Sequence, residues 1–231
     1  MNSISVLQWF NEHGIWIPGF YMSKGQCHTL WKNQTNESIN GNRPENYAHK
    51  DLSMIKCMVD CIEPYMQKNY SILELGSNCG VNLNLLSSHD YSNLNGIEIN
   101  PFAIEEMRKS FPLLKANIAN ISLEDGLKHI PESSFDLVFS MAVLIHIHPC
   151  SNFIFDEIAR ISKKYLCIVE GENFNCKYIF PRNYKRVFES RGYEQIKYIE
   201  KMPDANYTLR LFKKLHKKRY LKNDNDFPLI P

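Results

Sequence analysis

The chain has 231 residues and a net charge of +2, with 44% hydrophobic and 23% charged residues. This length fits one domain of ordinary size or a domain with an appendage, and the composition is typical of soluble globular proteins. The net charge is too small to indicate a protein that binds nucleic acid or a membrane surface. No run approaches the ~18 apolar residues of a membrane span.

The seven cysteines are odd in number and irregular in spacing. None of these spacings is typical of a metal site, so we expect no bound metal, and a reducing compartment fits them best. Residues 1–16 (MNSISVLQWFNEHGIW) lack a basic region followed by a long apolar core. We therefore expect no signal peptide and a cytoplasmic protein.

Residues 1–69 are rich in aromatic side chains and are predicted to form a helical extension, which could be a lid over a bound ligand. Short helices are expected at 4–13 and 26–33, followed by a polar loop over 33–46. Apolar residues at three-and-four spacing predict an amphipathic helix over 47–67, which Pro64 shortens. The alternative is that the aromatic residues only cover one face of a sheet, since they cannot all stay in water.

From residue 70 onward, strand patterns alternate with helix patterns. Strands are predicted at 72–75, 94–99, 113–118, 135–140, 165–170, 193–201 and 207–213, and helices at 80–88, 101–111, 123–129, 152–162 and 183–191. This alternation predicts an α/β, Rossmann-like, doubly wound sheet of seven mostly parallel strands. A short turn at Pro203 joins the last two strands, so the last strand must be antiparallel. Residues 70–215 would form the main domain, and 216–231 a polar tail.

The most informative stretches are SILELGSNCG at 71–80 and GIEIN at 96–100. In the first, a short apolar strand ends in Glu74 and leads into a turn with two glycines; the second strand ends in Glu98. Glycines let the backbone approach a ligand, and an acid about 20 residues downstream can bind two ribose hydroxyls. The pattern therefore predicts an adenosine-containing cofactor. Because Glu74 would repel a pyrophosphate but suits an ammonium group, it favours S-adenosylmethionine over NAD.

Four segments, in order over residues 70–171, resemble the class I S-adenosylmethionine-dependent methyltransferases. ELGSNCG resembles the first motif, GIEIN the ribose-binding strand end, KANI at 115–118 the adenine position, and FDLVFSMAVLIHI at 135–147 the fourth-strand motif. ELGSNCGVNLNLL and SMAVLIHIHP are similar to segments of bacterial methyltransferases of sugars and other small metabolites. The resemblance implies S-adenosylmethionine as cofactor and a small-molecule acceptor.

The resemblance also implies individual cofactor contacts. Glu74, Gly76 and Ser77 would hold the methionine amino group, and Ser140 and Met141 would contact the rest of the methionine. Glu98 would bind the ribose, and Gly80 would allow the close turn. Ile99 would pack on the adenine, and Asn117 and Ile118 would reach the adenine edge. Asn78 replaces the family's second glycine and would place a polar side chain near the cofactor. Asn117 replaces the usual aspartate, which keeps an acceptor oxygen but no charge.

Candidate catalytic residues follow the fourth and fifth strands, at the edge where open parallel sheets bind ligands. His146 could deprotonate a hydroxyl acceptor. The favoured alternative is that His146 packs against the pocket while His148 caps the next helix. Glu170 and Glu172 could act as a base or hold a cation, or one of them could accept hydrogen bonds from loop amides, and the sequence does not separate these readings.

Acceptor-binding candidates are Trp31, Tyr47, His148, Arg182 and Tyr184. Arg182 could bind an anionic acceptor bidentately, although the same segment also reads as a helix start capped by Asn183. A basic run at 213–219 could contact RNA, but a solvated tail is the favoured reading. Two other functions therefore stay open: an RNA- or protein-modifying methyltransferase, and a non-catalytic cofactor-binding module. A homodimer is also left open.

Overall fold

The computed structural model describes residues 21–38, 42–173, 176–203 and 205–215. The predicted helix at 4–13 and the predicted polar tail at 216–231 lie outside these residues. Where the chain is described, no helix is both long enough and apolar enough to cross a bilayer.

Three helices precede the sheet: α1 (Lys24–Lys32), α2 (Pro44–Ala48) and α3 (Ser53–Ile62). The prediction of one helix over 47–67 was wrong, because the chain leaves the helical conformation after Ala48. The Asp51 carboxylate accepts a hydrogen bond from the Ser53 amide at 2.7 Å and so begins a new helix. The prediction that Pro64 shortens the helix is confirmed, since only a 3₁₀ turn (Glu63–Tyr65) follows Ile62.

Seven strands form one sheet in the order β3-β2-β1-β4-β5-β7-β6. The strands are β1 (Ile72–Leu75), β2 (Leu94–Glu98), β3 (Ala116–Asn120), β4 (Phe135–Met141), β5 (Ser162–Glu170), β6 (Tyr193–Ile199) and β7 (Thr208–Lys214). The connecting helices are α4 (Val81–Ser88), α5 (Pro101–Ser110), α6 (Leu123–Gly126), α7 (Ile154–Ile161) and α8 (Tyr184–Glu189). Only β7 runs antiparallel to its neighbours β5 and β6. The predicted fold class is therefore confirmed.

The third strand lies about three residues later than predicted. Residues 113–118 were expected to form it, but β3 begins at Ala116 and pairs in parallel from Leu94↔Ala116 to Glu98↔Asn120. Leu113 is 90% exposed and lies in a turn. This shift matters for the site, because the residues at the carboxyl end of β3 are then Asn120 and Ile121.

Helices cover both faces of the sheet, as doubly wound folds require. Successive residues of β1 show this, since Ile72 packs in a core cluster with α3 and α4, while Leu73 packs in a second cluster with α7. Both residues are at most 2% exposed. The strands are therefore held rigidly from both sides, and their carboxyl ends form a fixed edge on which a site can be built.

Candidate functional site

The turn between β1 and α4 is built from residues in the left-handed conformation. Gly76, Asn78 and Gly80 have φ angles of 71°, 47° and 73°. A Cβ atom at Gly76 would lie 2.5 Å from a Val143 methyl, so glycine is required there. Asparagine is one of the few other residues that tolerate this conformation, and the Asn78 side chain accepts a hydrogen bond from the Cys79 amide. Asn78 thus fits a left-handed position that otherwise favours glycine.

Glu98 at the end of β2 ties this turn to its own strand. Its carboxylate accepts hydrogen bonds from the backbone amides of Asn78 at 2.7 Å and Asn100 at 2.8 Å. Burial raises the pKa of Glu98, and the amide hydrogen bonds oppose that shift. The carboxylate is fixed in position at the wall of a cavity.

Glu74 lies directly behind the turn and is 1% exposed. One carboxylate oxygen accepts a hydrogen bond from the Asn82 side chain. Among the residues that the structure describes, no donor reaches its other oxygen, and the same is true of the Asn82 Oδ1 atom. Burial raises the pKa of Glu74 to about 8, opposed by the Asn82 hydrogen bond and by the charge of Lys50. Asn82 lines the cavity and Glu74 does not, so a donor that enters the cavity can reach Asn82 Oδ1, and the unpartnered Glu74 oxygen lies behind it.

The cavity has a volume of about 450 Å³ and lies over the carboxyl ends of the parallel strands. Such a volume suits a cofactor or small molecule. Ten of the residues singled out from the sequence line it: Gly76, Ser77, Asn78, Glu98, Ile99 and Met141 among the cofactor candidates, and Trp31, Tyr47, His146 and His148 among the others.

The second wall of the cavity comes from the segment that precedes the sheet. His28 on α1 contacts Glu124 on α6 at 2.9 Å, and the Asn100 side chain donates to the Gln34 carbonyl at 2.8 Å. These four residues were not predicted as site residues from the sequence. The same is true of five further residues that line the cavity, Cys27, Asn42, Lys50, Tyr178 and Tyr207. No sequence signal marked them, because their role depends on contacts with residues far away in the chain.

His146 is held in one tautomer by its surroundings. Its Nδ1 atom lies 3.1 Å from the Tyr178 carbonyl oxygen, which can only accept, so Nδ1 carries the proton and Nε2 has a free lone pair. The Trp31 ring packs against the imidazole at a tilt of 46°, with 4.3 Å between ring centroids. Burial lowers the pKa of His146 to about 4, opposed by the bond to Tyr178. The ring is therefore neutral at physiological pH.

His148 behaves as the favoured alternative predicted. Its Nδ1 accepts a hydrogen bond from the Cys150 amide at 3.2 Å and so caps the short helix Pro149–Ser151. Its pKa is lowered mainly by burial and to a smaller extent by the nearby charge of Arg182.

Within the described residues, no group of three or more His, Cys, Asp or Glu side chains is placed to hold a metal ion.

Residues 73–166 match a family model described as a methyltransferase domain. This stretch runs from β1 into β5 and contains the glycine turn and Glu98. This region is a methyltransferase domain, and its cofactor is S-adenosylmethionine. No curated protein sequence matches the chain significantly.

Solved structures share the fold of the methyltransferase at low sequence identity. An S-adenosylmethionine-dependent methyltransferase from Methanosarcina mazei is 21% identical with a TM-score of 0.56, and the match covers 67% of this chain and 97% of that one. For a TehB-like methyltransferase from Corynebacterium glutamicum the values are 18%, 0.57, 74% and 97%. For magnesium protoporphyrin IX methyltransferase from Synechocystis, solved with bound S-adenosylhomocysteine, they are 10%, 0.60, 83% and 95%.

The buried atoms of the methyltransferase fit this cofactor. The unpartnered oxygen of Asn82 lies in the cavity wall and that of Glu74 behind it, and both are acceptors suited to the methionine ammonium group. Glu98 lines the cavity with a carboxylate suited to ribose hydroxyls, and Ile99 lines it beside Glu98 as an apolar surface for the adenine. When bound, S-adenosylmethionine supplies an electrophilic methyl group on its sulfonium.

Of the two roles left open for Glu170 from the sequence, the structure supports hydrogen bonds to loop amides and not the catalytic role. Glu170 is fully buried and does not line the cavity. Its carboxylate accepts hydrogen bonds from the Ser140 hydroxyl at 2.6 Å and from the amides of Val143, Leu144 and Ile145 at 2.9–3.2 Å. Glu170 therefore anchors the loop after β4, which lines the cavity, and Ser140 belongs to that anchor instead of contacting the methionine.

The predicted catalytic role of Glu172 is wrong, because its carboxylate forms a bidentate ion pair with Arg210 at 2.7 and 2.8 Å. This pair joins the segment after β5 to β7. Glu172 does not line the cavity.

Arg182 and Tyr184 do not face an acceptor. The Arg182 guanidinium donates to the carbonyls of Phe180 at 2.8 Å and Ile147 at 2.7 Å and to the Asn152 side chain at 2.8 Å. Tyr184 is fully buried at the start of α8. Asn183 caps α8 through the Arg186 amide at 2.9 Å, as favoured from the sequence.

Asn117 and Ile118 do not reach the cavity, because β3 lies later in the chain than predicted. Asn117 is exposed in mid-strand and its side chain lies 3.3 Å from the Asn95 side-chain oxygen. Ile118 packs against the core. Ile121 lines the cavity in their place.

Gly80 precedes α4 as its N-cap and does not line the cavity either.

Proposed function

We propose that the methyltransferase acts on a small-molecule acceptor without a phosphate group, a sugar or another metabolite with a hydroxyl or amino group. The observation that carries this proposal is the chemistry of the cavity wall beyond Met141. Aromatic side chains contribute to it, since Trp31 packs at a tilt against the neutral ring of His146 and Tyr178 lies beside them. Aromatic faces suit the apolar faces of sugar or heterocyclic rings, whereas a phosphorylated acceptor would need cations there.

His146 is the group in this wall best placed to orient an acceptor hydroxyl. Because its Nδ1 proton is committed to the Tyr178 carbonyl, Nε2 can accept the hydroxyl hydrogen bond and aim an oxygen lone pair at the methyl carbon. S-adenosylmethionine would supply the methyl group to this oxygen, and His146 Nε2 would take the hydroxyl proton and pass it to water. A ring with a pKa of about 4 is a weak base, so alignment is its main contribution.

The N-terminal extension serves as the acceptor lid in this proposal. It supplies Trp31 and Tyr47 to the cavity wall, and the His28–Glu124 contact holds it against the main domain. A cytoplasmic location also belongs to the proposal, in line with seven free cysteines.

An acceptor screen with methyl-labelled S-adenosylmethionine tests this function. We expect label in small products when the enzyme is incubated with fractionated metabolites, starting from hydroxylated and amino sugars. Label that appears only in RNA or protein, and falls steeply with salt, would contradict the small-molecule proposal. Cofactor binding without label in any fraction would indicate a non-catalytic module.

A further inference from the structure

Lys50 lies in the turn between α2 and α3 and lines the cavity. Its ammonium nitrogen is 5.9 Å from the centroid of the Tyr47 ring. Among the described residues that line the cavity, it is the single lysine, and no arginine accompanies it. Burial lowers the pKa of Lys50, and the neighbouring Glu74 carboxyl opposes that shift. The cation is therefore partly desolvated and lies near Glu74.

The region around Lys50 has the charge pattern of a site for an α-amino acid. Glu74 provides a carboxyl group with an unpartnered oxygen behind the cavity wall, Asn82 provides a second acceptor in the wall, and Lys50 provides a cation. An ammonium group beside Glu74 would favour the ionised form of its carboxyl. A zwitterion with its ammonium group toward Glu74 and its carboxylate toward Lys50 would give alternating charges. Buried charges are stable only when each has a partner of opposite sign.

We propose that Lys50 binds the methionine carboxylate of S-adenosylmethionine and so fixes the amino-acid end of the cofactor. This role rests on the cofactor and does not depend on which acceptor is methylated. It also gives the extension before β1 a part in cofactor binding, although the matched methyltransferase domain begins only at residue 73. Lys50 is thus a positioning residue, because a fixed methionine end holds the sulfonium in line with the acceptor.

Three ligands separate this role from a general effect on the pocket. S-adenosylhomocysteine carries the carboxylate, decarboxylated S-adenosylmethionine keeps the amine but lacks the carboxylate, and methylthioadenosine lacks the amino-acid part. Isothermal titration with Lys50→Met should show at least 30-fold weaker binding of S-adenosylhomocysteine. The other two ligands should bind within threefold of wild type. Lys56→Met, an exposed lysine on α3 outside the cavity, is the matched control and should bind all three ligands normally.

Two results would overturn the proposal. Unchanged affinity of Lys50→Met for S-adenosylhomocysteine would show that the carboxylate has another partner. An equal loss for all three ligands would show that Lys50 shapes the pocket without contacting the carboxylate. If the variant does not fold, the wild-type protein still decides, because equal affinity for S-adenosylmethionine and its decarboxylated form would exclude the contact. None of these binding measurements depends on methyl transfer to an acceptor, so their interpretation holds even if the acceptor proposal fails.

Discussion

Replacement of Glu170 should destabilise the protein more than replacement of any surface carboxylate, because four donors depend on it. Glu170→Ala leaves the Ser140 hydroxyl and the amides of Val143, Leu144 and Ile145 without their acceptor in a fully buried site. Removal of one side of such a buried charged network costs about 3–5 kcal/mol of unfolding free energy. We expect a loss in this range.

Glu170→Gln should cost less, about 2–3 kcal/mol. The amide oxygen can keep the bonds to Ser140, Val143 and Leu144, but each weakens because hydrogen bonds to a charged group contribute roughly 1 kcal/mol more than neutral ones. The amide NH₂ would face the Ile145 N–H, and that bond is lost. Part of this loss is offset, since burial raises the pKa of Glu170 and the neutral amide avoids that desolvation cost.

Urea unfolding followed by circular dichroism at pH 7.5 measures these differences. Glu189→Gln, on the exposed side of α8, is the control and should change stability by less than about 0.5 kcal/mol. Because the anchored loop lines the cavity, the two Glu170 variants should also bind S-adenosylhomocysteine more weakly. A loss below about 1 kcal/mol for Glu170→Ala would refute the anchoring role.

Three further predictions concern the cofactor and acceptor ends of the cavity. Glu98→Ala should weaken S-adenosylhomocysteine binding by about 1–3 kcal/mol in calorimetry, because the ribose loses its acceptor, and unchanged affinity would show that the ribose binds elsewhere. Glu74→Gln should raise apo stability at pH 8 while weakening cofactor binding. The folded pKa of about 8 lies above the ordinary value of 4.5, so the contribution of Glu74 to stability is lost as pH rises between these values, by at most ~1.4 kcal/mol per pH unit. That pH-dependent loss should disappear in Glu74→Gln, and a variant less stable than wild type would contradict the reasoning. His146→Ala should retain cofactor binding but lower turnover, and wild-type kcat should show no ionisation near pH 6.5 from this ring, since its pKa is about 4. A kinetic pKa near 6.5 that vanishes in the variant would be evidence for a less buried, basic His146.

The sequence by itself determined the alternating strands, the β1–α4 turn and the acid at the end of β2. These features are local, because hydrophobic periodicity, glycine conformation and strand-end position are set by neighbouring residues. For the same reason the capping role of Asn183 was readable from a few positions of the chain.

Only the tertiary structure decided which polar residues act at the cavity and which hold the fold. Glu170 and Arg182 resembled site residues in the sequence, yet their partners lie about 30 residues away and make them loop anchors. Lys50 fell inside a predicted helix, so nothing in the sequence marked it as a cavity residue. The residue that His28 contacts lies 96 residues away in the chain. A side chain at the ligand edge of a sheet can face the cavity or turn back to buried amides, and the packed elements around it determine which of the two occurs.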